Sequence, residues 1–340
     1  MVDEFIAQGG TYFDTAYVYH EGNSEKIVKK ALVERYPREA FTLATKLPAW
    51  ELKSIEDVER IFEEQLERTG AGYFDYYLLH SIEKNHAPVY EKYDCYKWAL
   101  EKKAQGLIKH VGFSFHEKAD FLEEILEKYP EMEFVQLQIN YLDWGNDNVQ
   151  SRACYEVAVK HNIPVIVMEP VKGGTLAELP EIAEAVLKDM DDSVSIASWA
   201  MRFCGSLDNV KMILSGMSNM EQVKDNLKTM VDFKPLSKEE SDGIWKTAET
   251  YFSIPTVQCT ACKYCVPGCP ANIQIPDMIK ALNTSKLYGK NQRAVEMHDK
   301  FAGEGALAST CVECGQCEGV CPQHLNIIEI LKEIAEVFEA

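Results

Sequence analysis

The sequence lacks the features that mark membrane, secreted and nucleic-acid-binding proteins. No apolar run approaches the roughly 20 residues that a membrane-spanning helix needs. The first residues, MVDEFIAQGG, have neither the basic start nor the apolar core of a signal peptide. Basic residues are scarce, with 35 Lys and Arg against 54 Asp and Glu, and a net charge of -19 argues against a phosphate backbone as partner. We therefore expect a cytoplasmic protein that binds neither membranes nor nucleic acids.

The cysteines are distributed unevenly along a chain that is long for one domain. The 340 residues favour one large domain and a smaller one. Eight of the 11 cysteines fall between residues 259 and 321, and we expect the other three, Cys95, Cys154 and Cys204, to be core residues. Because disulfides are rare in a reducing cytoplasm, the clustered cysteines favour metal binding.

Short apolar runs alternate with amphipathic stretches between residues 10 and 216, as in parallel strands joined by crossover helices. The predicted strands are 11–16, 41–46, 76–80, 110–115, 134–140, 164–170 and 210–216. A helix is predicted over 54–70, where Ser54 and Asp57 form a helix-start signal. These regular units predict an α/β fold, a TIM-type barrel that lacks its first strand, with the chain beginning inside the first helix.

The composition changes to cysteine, glycine and proline after a helical segment at 237–256. We therefore predict a barrel over residues 1–252 and a mainly helical domain over residues 253–340. Three further helices are expected in this second domain, at 275–289, 291–303 and 325–338.

The eight clustered cysteines repeat the spacing C-x2-C-x2-C-x3-C-P. Three closely spaced thiolates suit three irons of one cubane, and the fourth cysteine of such a run ligates the other cluster. The predicted ligand sets of the two 4Fe-4S clusters are Cys259, Cys262, Cys265 and Cys321, and Cys311, Cys314, Cys317 and Cys269. Zinc is the alternative, although structural zinc sites use paired cysteines. This tail resembles the alpha-helical ferredoxin domains of respiratory iron-sulfur subunits.

The stretch FDTAYVY, followed by TK on the next strand and LLH on the one after, resembles the aldo-keto reductase family over roughly residues 5–235. The resemblance implies a catalytic set of Asp14, Tyr19, Lys46 and His80. It also implies an enzyme that reduces a small carbonyl substrate with a nicotinamide dinucleotide. In such chemistry Tyr19 donates a proton to the developing alkoxide, Lys46 paired with Asp14 eases ionisation of the phenol, and His80 polarises the carbonyl oxygen.

The same resemblance implies the cofactor and substrate contacts. The expected nicotinamide contacts are Ser114 and Gln136, the expected phosphate and adenine contacts are Gly216, Ser218, Gln222 and Asn226, and Trp50 is a candidate wall of the substrate pocket. Glu221 or Gln222 stands where the family has a basic residue that binds the 2'-phosphate of NADP. The sequence is therefore compatible with either NADP or NAD as the cofactor. A buried packing role for Trp50 is the alternative.

Hydride transfer moves two electrons together, whereas a cubane accepts one at a time. A flavin would be needed to join the two chemistries, and no flavin motif is visible in the sequence. The clusters could instead exchange electrons with a ferredoxin-like redox partner, sense oxygen or have a structural role. A second class of function stays open, an iron-sulfur electron-transfer or redox-sensing protein whose barrel is non-catalytic.

Overall fold

Seven parallel strands form one sheet in the N-terminal part of the chain. The computed structural model describes residues 1–340. The strands are β1 (Tyr12–Asp14), β2 (Thr42–Pro48), β3 (Phe74–Ile82), β4 (Ile108–Phe115), β5 (Phe134–Gln138), β6 (Val165–Met168) and β7 (Val210–Ile213). Neighbours in space are neighbours in sequence, and all six pairs are parallel. The predicted TIM-type fold with seven strands is confirmed.

Helices connect these strands as expected for crossover connections. Those of the N-terminal part are α1 (Val2–Ala7), α2 (Ser24–Val28, continued by a π-helical turn at Lys29–Val33), α3 (Ile55–Thr69), α4 (Ala87–Lys92), α5 (Cys95–Ala104), α6 (Ala119–Lys128), α7 (Ser151–Lys160), α8 (Glu181–Met190), α9 (Ile196–Gly205), α10 (Met220–Val231) and α11 (Lys238–Ser253). No helix of the chain is both long and apolar enough to span a bilayer.

Helix α3 shows how local sequence sets an element's ends. It begins at a capping box formed by Ser54 and Asp57, and it ends at Gly70, whose φ of 66° is favourable only for glycine. Its buried residues, Val58, Ile61, Phe62, Gln65 and Thr69, recur every three or four positions. This stripe packs the helix onto the sheet, and two of its members, Gln65 and Thr69, are polar.

The sheet is open between its first and last strands. β1 pairs only with β2, and β7 pairs only with β6. A mainly apolar cavity of about 730 Å³, lined by residues of α1, β1, β7 and α10, lies beside these two edges. Elsewhere the strands approach closely, since a Cβ at Gly112 of β4 would overlap the carbonyl oxygen of Phe134 on β5.

The chain divides into two compact units. One consists of residues 1–178 and 187–245, and the other of residues 179–186 and 246–340. The second unit contains the helices α12 (Ile275–Tyr288), α13 (Gln292–Glu304), α14 (Gln316–Gly319) and α15 (Ile327–Phe338). Its core consists of aliphatic residues from α12 and α15 together with two of the cysteines, Cys265 and Cys317. The expected domain boundary after residue 252 falls at the end of α11 and stays a prediction.

Candidate functional site

Four polar side chains meet at the carboxyl ends of the first three strands. Asp14 is the last residue of β1, and Tyr19 lies in the turn that follows. Lys46 is near the end of β2, and His80 lies two residues before the end of β3, opposite Pro48 in the β2–β3 ladder. Because parallel strands end at the same edge of a sheet, residues far apart in sequence become neighbours there.

Lys46 is the buried centre of this group. It is 1% exposed, and its Nζ donates hydrogen bonds to the Asp14 carboxylate and to the Thr15 carbonyl, the latter at 2.8 Å. The same Nζ lies 4.7 Å from the centroid of the Tyr19 ring. Burial raises the pKa of Asp14, and the Lys46 ammonium partly offsets this effect. The ion pair therefore places a fixed positive charge against the phenol ring.

His80 completes the group as a neutral imidazole. Burial lowers its pKa to about 3, and the positive charge of Lys46 acts in the same direction. Its ring centroid lies 5.6 Å from that of Tyr19, in an edge-to-face arrangement. Its Nδ1 is buried without a hydrogen-bond partner in the protein. At neutral pH this ring can donate one N–H hydrogen bond, but it carries no proton that it could release as an acid.

Trp50 stands beside this group, and 44% of its surface is exposed. Its ring lies 5.1 Å from His80 and 5.0 Å from His86, measured between centroids. His86 is held through a 2.8 Å hydrogen bond between its Nδ1 and the carbonyl of Ser81. Sequence reasoning missed His86, because a single histidine at a helix start carries no distinctive spacing.

A buried polar network behind Lys46 was also missed. The Gln65 amide donates to the Lys46 carbonyl at 3.0 Å and to the Thr45 hydroxyl at 3.1 Å, while Tyr77 donates to Gln65 at 2.7 Å. Glu25, fully buried, accepts from Thr45 at 2.7 Å, and burial raises its pKa. The available signal was the amide side chain of Gln65 on the mainly apolar face of α3. The network fixes the backbone from which Lys46 projects.

The two expected nicotinamide contacts, Ser114 and Gln136, lie next to this group of four polar side chains. Ser114 of β4 and Gln136 of β5 are register partners, and both are almost completely buried. The Ser114 hydroxyl accepts a 2.7 Å hydrogen bond from the Ser81 amide, and the Gln136 side chain acts with Lys46 to lower the pKa of Asp14 against the effect of burial. Amide and hydroxyl groups of this kind suit the carboxamide of a nicotinamide.

The expected phosphate and adenine contacts gather between β7 and the first turns of α10. Gln222 accepts a 2.7 Å hydrogen bond from the Ser218 amide, and Asn219 caps the helix. The Asn226 amide donates to Ser215 at 2.9 Å. A side chain at Gly216 would project into open space, so the backbone there is accessible. A helix start with an accessible backbone fits a phosphate.

The second unit contains two cysteine-lined cavities, and each takes three cysteines from one motif and the fourth from the other. Cys259, Cys262, Cys265 and Cys321 line one, which we name the first cavity. Cys311, Cys314, Cys317 and Cys269 line the other, the second cavity. Ile275, the first residue of α12, lines both. Four thiols around each enclosed space fit a four-iron cluster in each cavity.

The cysteines are arranged around these spaces and not against a common point. No group of three or more His, Cys, Asp or Glu side chains converges closely enough to hold a single metal ion. A cubane spaces its thiolate ligands more widely than one ion does. Burial raises the pKa of Cys265 to about 11, so metal binding must displace a firmly held proton there.

A buried carboxylate tethers the segment that leads into the second cysteine motif. The Glu339 carboxylate accepts hydrogen bonds from the amides of Ala308 and Ser309, at 2.8 and 3.0 Å, just before Cys311. It also lies 3.1 Å from Nε2 of His298, a buried residue of α13. Although burial alone would raise the pKa of Glu339, these hydrogen bonds lower it. No sequence signal indicated this contact.

The three isolated cysteines are buried in the barrel unit, as predicted. Burial raises the pKa of Cys95 and of Cys154 to about 12, and it raises the pKa of Cys204 as well. These thiols are therefore protonated near neutral pH and belong to the core.

The strand-end group on a parallel barrel and the cysteine-lined cavities together define an oxidoreductase with an attached iron-sulfur domain, and comparisons with known proteins agree. The model of the aldo/keto reductase family matches residues 1–249, and that of a 4Fe-4S dicluster domain matches residues 258–326. The chain belongs to the aldo/keto reductase family.

Relatives and solved structures match 64% to 72% of the chain. An uncharacterized oxidoreductase of Schizosaccharomyces pombe is 26% identical over 230 residues, covering 64% of this chain and 68% of that protein. L-galactose dehydrogenase of Arabidopsis thaliana is 24% identical over 259 residues, covering 70% and 79%. The holo form of the aldo-keto reductase AKR11C1 from Bacillus halodurans is 28% identical, with a TM-score of 0.57 and coverage of 72% and 84%. An aldo-keto reductase of Klebsiella pneumoniae in complex with NADPH, 20% identical, has a TM-score of 0.57 and coverage of 72% and 82%.

Proposed function

We propose that the chain reduces an aldehyde or ketone with a reduced nicotinamide dinucleotide at the barrel site and holds two 4Fe-4S clusters in the helical unit. The observation that carries the enzymatic part is the assembly of Asp14, Tyr19, Lys46 and His80 at one edge of the sheet. The parts taken singly have ordinary structural roles, but their convergence is typical of an active site.

Reduction of a carbonyl group adds a hydride to its carbon and a proton to its oxygen. A bound reduced nicotinamide supplies the hydride to the carbonyl carbon, and the carbonyl oxygen takes a proton from the Tyr19 hydroxyl. The neutral His80 donates a hydrogen bond to that oxygen without competing as an acid, since its pKa is about 3. Lys46, fixed by Asp14, stabilises the phenolate that Tyr19 becomes.

The residues around this edge support a nicotinamide dinucleotide as the hydride source. Gln136 offers polar atoms near Asp14, Ser114 offers a buried hydroxyl next to Ser81, and the segment before α10 offers an accessible backbone at Gly216. Glu221 and Gln222 at that helix start provide no positive charge for a 2'-phosphate. The structure of the Klebsiella pneumoniae relative contains NADPH. NADPH and NADH therefore both belong in the test.

The test of the enzymatic proposal combines binding and turnover. Anaerobically reconstituted protein is titrated with NADPH and with NADH while nicotinamide fluorescence is followed, and the complex is then mixed with a panel of aldehydes and ketones. We expect saturable binding of at least one dinucleotide and carbonyl-dependent oxidation of it. Absence of binding to either would instead favour an electron carrier with a non-catalytic barrel, a function that the open edge between β1 and β7 also favours.

The proposed cluster ligation has its own test. The cavity linings support Cys321 as the fourth ligand of the first cluster and Cys269 as the fourth ligand of the second. Cys269→Ser should therefore alter the paramagnetic signal of the cluster held by the second motif, and Cys321→Ser that of the first. A change confined to each variant's own motif would overturn the crossed ligation. A one-electron protein, ferredoxin-like in kind, is the partner that such clusters suit.

A further inference from the structure

The two cysteine loops have left-handed backbone at the same two places but carry different charges. Residues two and four positions after the first cysteine of each motif have positive φ values. They are 55° at Ala261 and 62° at Lys263 in the first loop, and 54° at Glu313 and 74° at Gly315 in the second. A lysine thus occupies in the first loop the place that a glycine occupies in the second.

Left-handed backbone makes Lys263 a costly choice at this place. A non-glycine residue in this region costs roughly 1 kcal/mol relative to glycine. Residues held in such backbone regions cluster at functional sites. Lys263 lines the first cavity, where Thr260 and Gln323 add polar groups. Apart from its cysteines, the second cavity is lined only by apolar residues and glycine.

The positive charge acts on reduction because a cluster gains one negative charge when it accepts an electron. A cation at the cavity wall stabilises the reduced form more than the oxidised form and so raises the reduction potential. Lys263 is 62% exposed and lies 3.5 Å from the Asp277 carboxylate, which screens part of its charge. The effect is therefore modest. In the second loop, Glu313 brings a negative charge, which is paired with Lys332 at 3.3 Å.

We propose that Lys263 gives the cluster of the first cavity the higher reduction potential, so that an electron entering this unit comes to rest there. This inference rests on the proposed pair of clusters. It concerns a residue that tunes a site and does not ligate it. The matching backbone of the two loops makes the exchange of Lys263 and Gly315 a direct experiment.

The experiment is an anaerobic redox titration of the reconstituted full-length chain, followed by electron paramagnetic resonance. Lys263→Gly should lower the reduction potential of one of the two one-electron waves by at least ~28 mV. At 59 mV per tenfold, this shift changes the ratio of reduced to oxidised cluster about threefold. Gly315→Lys should raise the other wave, which identifies it as the second cluster; a side chain there meets no neighbour within 4 Å. Lys280→Gln, an exposed lysine on α12, is the matched control and should move neither wave.

Other results would contradict either the role of Lys263 or the proposal of two clusters. If Lys263→Gly leaves both potentials unchanged, or lowers the wave that Gly315→Lys raises, the inference is wrong while the two clusters stand. If the reconstituted protein binds fewer than about eight irons per chain, the two-cluster proposal itself fails, and the inference fails with it. Because Lys263→Gly also removes backbone strain, loss of folding does not obscure the result.

Discussion

Replacing Tyr19 by phenylalanine should abolish most carbonyl reduction while leaving the fold intact. The other two protic groups of the site cannot take over the proton transfer. His80 is neutral, with a pKa of about 3, and Lys46 is engaged by Asp14 and by the Thr15 carbonyl. General acid catalysis contributes about 10²- to 10⁴-fold. We therefore expect kcat to fall by that factor, equivalent to roughly 3 to 5 kcal/mol of barrier.

The same structure predicts little effect of Tyr19→Phe on stability or binding. The ring that contacts Lys46 and His80 is retained, and 37% of Tyr19 is exposed. The free energy of unfolding should change by less than about 0.5 kcal/mol, as for most surface substitutions. The assay is anaerobic oxidation of NAD(P)H with the best carbonyl from the panel, with urea denaturation run in parallel.

Tyr17→Phe is the matched control, two residues away. It removes a 2.8 Å hydrogen bond to Glu64 and should cost about 1 kcal/mol of stability without slowing the reaction. We therefore expect Tyr19→Phe to lower kcat but not stability, and Tyr17→Phe to lower stability but not kcat. Retention of more than a third of kcat by Tyr19→Phe would refute the assignment of Tyr19 as the proton donor.

Three further predictions concern stability and the second cluster. Because the folded-state pKa of His80 is about 3 and lies below its ordinary 6.5, the unfolded chain binds the proton first as pH falls. Lowering the pH from 7.5 to 5 should therefore cost about 2 kcal/mol in urea denaturation, a loss that His80→Gln removes; equal losses in both proteins would contradict it. Gly112→Ala should destabilise by about 1 to 3 kcal/mol through overlap with β5, whereas Gly145→Ala, which meets nothing within 4 Å, should be neutral in the same assay. Glu339→Ala should release the segment before Cys311 and lower iron content to about half. Glu339→Gln, which keeps an accepting oxygen, should restore most of the iron, and unchanged iron in the alanine variant would exclude the tether.

Much of the fold was predictable because it depends on local periodicity. All seven strands and the helix after Ser54 followed from apolar spacing and a capping pair, and the structure places them within a few residues of the expected limits. Strand ends were less predictable, since ladder contacts set them. The predicted strand at 210–216 has only four residues, Val210–Ile213, in the sheet.

The sequence by itself determined which chemical groups the chain carries and in what order. The spacing of the cysteines and the Asp14, Tyr19, Lys46 and His80 pattern needed no coordinates, because short motifs encode their own local geometry. Only the tertiary structure decided their environment. Burial, which depends on distant segments, makes His80 neutral, and side-chain packing supplies Gln65 behind Lys46. The motif spacing led us to expect Cys321 with the first motif and Cys269 with the second, and tertiary packing is what closes a cavity around each crossed set.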